Sequence, residues 1–121
     1  EPVDTLPVYK RKMLMIAGAL STNPLILMMD EPVGGLNPNE IDDIMEIVRK
    51  VRDAGVTILM IEHVMRFLVT LSDRIIIMHH GKNIYDGKPS ELASDKTVVD
   101  VYLGEGASEL IADALGDAGD E

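Results

Sequence analysis

Two short, nearly uninterrupted hydrocarbon runs, Leu25–Met29 and Val56–Ile61, bracket a single amphipathic helix, and this order constrains the fold more than any other feature. Leu25–Met29 has no polar alternation, so it reads as a strand covered on both faces, as in a parallel sheet. The intervening helix is marked at both ends. Asn37 is a good N-cap, Pro38 suits the first helical position, and Glu40 stands three residues after the cap. Ile41, Ile44, Met45, Val48 and Val51 recur at helical spacing, and Gly55 is the stop. A strand, a crossover helix and a second strand predict an α/β unit with a parallel pair.

The flanking segments extend the pattern. Lys10–Leu20 is a helical stretch halted by Asn23-Pro24, and residues 64–71 predict a further short helix. Residues 74–78 predict a third strand, His79-His80-Gly81-Lys82 a turn, and Asn83–Asp86 a strand pairing back as a hairpin. Pro89–Ala93 and Lys96–Leu103 read as short helices. Residues 105–121 hold six acidic residues and no base, with Gly106, Gly116 and Gly119, and read as a polar, acidic tail. The chain opens Glu1-Pro2-Val3 with no initiator Met and no signal peptide, which reads as a fragment.

Charge and composition exclude several functions. With 11 basic against 21 acidic residues the net charge is −10, which disfavours binding to a nucleic-acid backbone. There is no cysteine, so disulfides, thiolate metal sites and cysteine nucleophiles are excluded. No apolar run approaches the roughly 20 residues of a membrane-spanning helix.

Chemistry gathers where the strands end. The first run stops at Asp30-Glu31 and the second at Glu62-His63, and open α/β sheets place their reacting groups at such carboxyl ends. Adjacent carboxylates after a hydrocarbon strand are costly without a partner. A divalent cation is the obvious one, with one carboxylate near the metal and the other taking a proton from water. The plainer alternative is that Asp30 caps the turn and Glu31 is solvated. A receiver-like domain with Asp30 as phosphoacceptor would need an acidic pair at another strand end, and no strand supplies it.

The wider string carries more. LILMMDEP at 25–32, GGLNP at 34–38 and LMIEH at 59–63 occur in an order that resembles the ATP-binding cassette (ABC) ATPases. Residues 25–31 are similar to the Walker B motif of that family, residues 34–38 to its D-loop, and His63 to its switch histidine. GLNP, the string IEHVMRFLVTLSDRI and the ending VYLGE at Val101–Glu105 resemble the ATP-binding subunits of branched-chain amino-acid importers in particular. The resemblance implies a partial P-loop NTPase fold, mostly parallel with flanking helices and lacking the P-loop strand. It implies one domain over residues 1–104, the C-terminal half of a nucleotide-binding domain. Its cofactors would be ATP and Mg²⁺, with Asp30 holding Mg²⁺ through water. Glu31 would be the general base, His63 would contact the γ-phosphate and the water as a neutral donor, and Asn37 would serve both as cap and in the D-loop facing a partner subunit. The implied partners are a second ATPase subunit and membrane permease subunits, and the implied location is peripheral, on the cytoplasmic face of the membrane.

Two departures stand beside the matches. No GxxxxGK[ST] phosphate cradle occurs: Gly81-Lys82 and Gly87-Lys88 lack the leading Gly and the following Ser or Thr. The family's signature segment, LSGGQ or LPYGQ in type, reads Leu6-Pro7-Val8-Tyr9-Lys10 here, with no glycine for close backbone approach to a phosphate. These departures leave open a second reading, a non-catalytic fragment that only docks to other subunits.

Overall fold

In the computed structural model, which describes residues 2–100, the described chain divides into two compact units, one up to Val64 and the other from Met65. The first holds helix α1 (Val8–Leu20), strand β1 (Ile26–Asp30), helix α2 (Pro38–Asp53) and strand β2 (Thr57–Ile61). β1 and β2 pair in parallel, with Ile26 opposite Thr57 and Asp30 opposite Ile61. The pairing continues one residue further, where the Glu31 amide donates to the Ile61 carbonyl at 2.7 Å.

The start of α2 satisfies the orphan donors of its first turn reciprocally. Asn37 Oδ1 accepts the Glu40 amide at 2.9 Å, and Glu40 Oε2 accepts the Asn37 amide at 3.0 Å. The buried stripe of α2 is Ile41, Ile44, Met45, Val48 and Val51, the set expected from spacing. Past its end Gly55 sits at φ +97°, a left-handed conformation that glycine adopts without strain.

β1 departs from expectation. Leu27 and Met29 are buried, but Ile26 is 59% exposed and Met28 72%. Leu59 and Ile61, on the matching face of β2, are also exposed. The run was expected to be covered on both faces, whereas among the described residues only one face is covered. α1 begins at Val8, two residues earlier than the sequence pattern indicated, because Pro7 with φ −55° and ψ 152° turns the chain into the helix there.

The second unit is built on an antiparallel hairpin of β3 (Ile75–His79) and β4 (Lys82–Gly87), flanked by α3 (Met65–Leu71), a 3₁₀ segment (Pro89–Ser94) and one turn of helix α4 (Lys96–Val98). The third strand therefore does not join the parallel pair: the described residues form two separate two-stranded sheets, one parallel and one antiparallel. The hairpin turns on His80 and Gly81, both at positive φ (49° and 75°), the backbone of a tight two-residue loop. Val69, Ile75, Ile77, Tyr85, Leu92 and Val98 form its core. Arg74 grips Asp86 with two hydrogen bonds of 2.7 and 2.6 Å, which hold the Asp86 carboxyl below its usual range and the guanidinium above its own. The VYLGE ending, the rest of the helix expected to Leu103 and the acidic tail at 105–121 lie outside the described residues.

Candidate active site

The carboxyl ends of β1 and β2 bring three of the expected groups to one place. Asp30 is the last residue of β1 and Glu31 the first beyond it, while Glu62 and His63 follow β2 directly. Parallel pairing in register is what makes these ends coincide.

Glu31 is held by its backbone rather than by its side chain. Its amide closes on Ile61, and its carbonyl accepts both the Gly34 amide at 3.2 Å and the Lys12 ammonium at 2.6 Å. With both backbone groups fixed, Glu31 sits at φ +48°, a strained left-handed conformation for a residue with a Cβ. That strain turns the chain sharply off the strand and projects the carboxylate outward, 60% exposed. Its Oε1 lies 3.7 Å from His63 Nδ1. Neither half of the plainer alternative describes the pair fully: Glu31 is largely solvated, yet it faces an imidazole, and its backbone is tied to three separate partners.

Asp30 is exposed, and its side chain takes no hydrogen bond or ion pair among the described residues. An exposed, unpaired carboxylate is a hard oxygen donor of the kind Mg²⁺ accepts. Among the described residues no group of three or more His, Cys, Asp or Glu could cage a metal. Mg²⁺ needs no such cage, since it is commonly held by one or two carboxylates together with waters and substrate phosphates. The residues present thus fit the ion as one contributing ligand.

Asn37 is not drawn into this cluster; its side-chain oxygen is committed to capping α2. The glycines before it shape the turn: the Gly34 amide bonds the Glu31 carbonyl, and Gly35 takes φ +77°. The segment at 6–10 is helical from Val8 onward, so Val8, Tyr9 and Lys10 form the first turn of α1 rather than a glycine loop. Tyr9 Oη donates to Asp43 Oδ2 at 3.0 Å, tying that turn to α2, and this hydrogen bond lifts the phenol's pKa above its ordinary value. Beside α1 a groove of about 350 Å³ runs along β1, lined by Met15, Ile16, Ala19, Leu27 and Met28, with Lys12 and Asp30 toward one end.

Two participants were not assigned in the sequence. Glu62 could have been singled out by the same reasoning as Asp30-Glu31, a carboxylate ending a hydrocarbon strand. Lys12 belongs to the basic cluster Lys10-Arg11-Lys12, and nothing in the sequence tells which of the three reaches Glu31.

No protein-family model matches the chain. The chain is 40% identical over 102 residues to the high-affinity branched-chain amino acid transport ATP-binding protein BraF of Pseudomonas aeruginosa, covering 84% of this chain and 40% of that protein. It is 40% identical over 96 residues to LivG of Salmonella typhimurium, a protein of the same description, covering 78% and 38%. It is also 36% identical to the lipopolysaccharide export system ATP-binding protein LptB of Escherichia coli, covering 79% and 40%. Among solved structures, an ATP-binding cassette of an ABC transporter superposes with a TM-score of 0.76 at 31% identity, covering 86% of this chain and 43% of that one. Part of an ABC transporter complex from Clostridium perfringens superposes with a TM-score of 0.68 at 29% identity, covering 93% and 46%. The chain thus spans about two-fifths of the length of the curated relatives it matches. In sequence and in fold it belongs with the ATP-binding cassette transporter ATPases, and represents part of such a domain.

Proposed function

We propose that the chain is the C-terminal half, residues 1–104, of the ATP-binding subunit of an ABC importer, and that it supplies the water-activating groups of a Mg-ATP hydrolysis site. The observation that carries this reading is the Glu31 carboxylate 3.7 Å from His63 Nδ1 at the ends of two parallel strands. Glu31 is the general base that orients the attacking water and takes its proton. His63 holds that water against the phosphate. Asp30 binds Mg²⁺ through water; the ion, when bound, neutralises charge on the phosphates. Asn37 and Gly34-Gly35 form the loop that faces a second ATPase subunit. Membrane permease subunits are the other partners, and the assembly sits on the cytoplasmic face of the membrane. No helix among the described residues is long and apolar enough to cross a membrane.

Branched-chain amino acids are the proposed solutes, supported by the descriptions of BraF and LivG. LptB, described as part of an export system, matches nearly as well, so the sequence similarity supports the ATPase more firmly than the cargo. The second reading, a docking module without catalysis, is favoured by one observation: Val8 and Tyr9 occupy the helix turn where the family's glycine loop would meet a phosphate.

Nucleotide binding separates the parts of this proposal. The 121-residue chain, which has no GxxxxGK[ST] cradle, is expected to bind Mg-ATP more weakly than about 100 μM by titration calorimetry, a free energy of about 5.5 kcal/mol. Joined to the portion of BraF that it does not match, it is expected to bind at least tenfold more tightly. Tight binding by the 121-residue chain itself would contradict the division of labour proposed here.

A further inference from the structure

Glu62 is the one charged side chain at these strand ends that is withdrawn from solvent, with 0% exposure, beside a His63 side chain that is 72% exposed. No lysine or arginine pairs with it among the described residues. A carboxylate so placed is tolerated only where donors converge on it. They do: Glu62 Oε2 accepts the Val33 amide at 3.1 Å, and Oε1 accepts the His63 amide at 2.9 Å. His63 Nδ1 lies a further 3.3 Å from that same Oε1.

These contacts span the two loops that carry the candidate chemistry. Val33, itself 1% exposed, is two residues beyond Glu31, and His63 follows Glu62 directly. One buried side chain therefore fastens the turn after β1 to the end of β2. It also sets the electrostatics of the imidazole, because Nδ1 faces two carboxylates, Glu62 at 3.3 Å and Glu31 at 3.7 Å. A nitrogen facing two anions carries the proton. The other nitrogen of a neutral imidazole, Nε2, is then an acceptor.

We propose that Glu62 is a positioning residue that fixes the spacing of Glu31 and His63 and holds His63 in the Nδ1–H tautomer. Toward the site His63 then offers an acceptor, suited to an O–H of the attacking water and unsuited to a phosphate oxygen. This reverses the donor role expected for a neutral imidazole from the family resemblance. The consequence for turnover rests on the ATPase reading above, but the tautomer and the clamp do not.

The test therefore uses no nucleotide. The full 121-residue chain, labelled with ¹⁵N-histidine and observed at about pH 9, where imidazole side chains are neutral, reports the tautomer through its long-range nitrogen–proton correlations. Free neutral histidine prefers the proton on Nε2. His63 is expected to show the opposite preference, Nδ1–H over Nε2–H by about tenfold, the scale of two carboxylate charges this close to one ring nitrogen at an exposed site. Glu62→Gln replaces one accepting oxygen by a donor. It is expected to shift the ratio toward Nε2–H by about tenfold and to speed exchange of the Val33 amide by a similar factor. Glu31→Gln, which removes the more distant carboxylate and leaves the clamp intact, is expected to shift the tautomer ratio less than Glu62→Gln does and to change Val33 exchange by no more than about twofold. A wild-type His63 with its proton on Nε2 overturns the proposal even if Glu62→Gln does not fold. So does a folded Glu62→Gln variant with unchanged tautomer and unchanged Val33 exchange. Failure of the ATPase reading moves none of these signals.

Discussion

With the chain completed by the unmatched portion of BraF, Glu31→Gln is expected to lower ATP turnover by about 10²–10⁴-fold, the usual worth of a positioned general base, while leaving nucleotide affinity within about threefold. The substitution keeps the side chain's length and planarity. The backbone bonds to Ile61, Gly34 and Lys12 do not involve the carboxylate, so the turn at φ +48° should survive. What is lost is the proton acceptor. Steady-state phosphate release and calorimetric binding, measured on the same preparation, separate the two effects. A variant retaining more than about a tenth of the parent rate would remove Glu31 from the role of base.

A large stability effect is expected at Ile44. It lies at the middle of the α2 stripe with 0% exposure. Ile44→Ala removes three buried carbons from a packed helix face and leaves a cavity, for an expected loss of about 2–5 kcal/mol. Arg52→Ala, near the helix end with a half-exposed side chain, should cost under about 1 kcal/mol by comparison. Denaturant unfolding of the 121-residue chain and its two variants measures both. Equal midpoints for Ile44→Ala and the parent chain would mean that α2 is not packed as described.

The contrast between α2 and β1 shows what a sequence of this kind discloses. Everything about α2 is local. Asn37, Pro38 and Glu40 settle its start through bonds within four residues, and Gly55 settles its end through a single dihedral angle. The hairpin is local in the same sense, since His80-Gly81 supplies both positive φ values. The apolar run before Asp30 discloses a strand but not its cover, because covering a face takes groups distant in sequence. Ile26 and Met28 were expected to be enclosed and are exposed among the described residues, with Leu59 and Ile61 exposed beside them. The hairpin pairing of the third strand with Asn83–Asp86 was legible and is found. The strand's apolar composition suits a parallel sheet as well as a hairpin, and the tight turn at His80-Gly81 decides for the hairpin.

Of the candidate site, the positions of Asp30, Glu31 and His63 were legible because each ends a hydrocarbon strand or follows one within two residues. Their convergence follows from parallel register, and Glu31 and His63 come within 3.7 Å. Asn37 was legible as a cap and is one. Glu62 and Lys12 were not assigned, for different reasons. Glu62 was visible beside His63, but its burial depends on the Val33 amide, 29 residues away. Lys12 acts on a carbonyl, a group every residue carries, so no side-chain pattern announces it.

ATP turnover by the completed chain tests the central claim most directly. With Asp30, Glu31 and His63 as they stand, and a phosphate cradle supplied by the BraF portion, the protein is expected to bind Mg-ATP and release inorganic phosphate at a rate that disappears with Glu31→Gln. A completed chain that folds and binds Mg-ATP yet releases no phosphate above the Glu31→Gln background would contradict it, and would leave the docking module as the reading of this sequence.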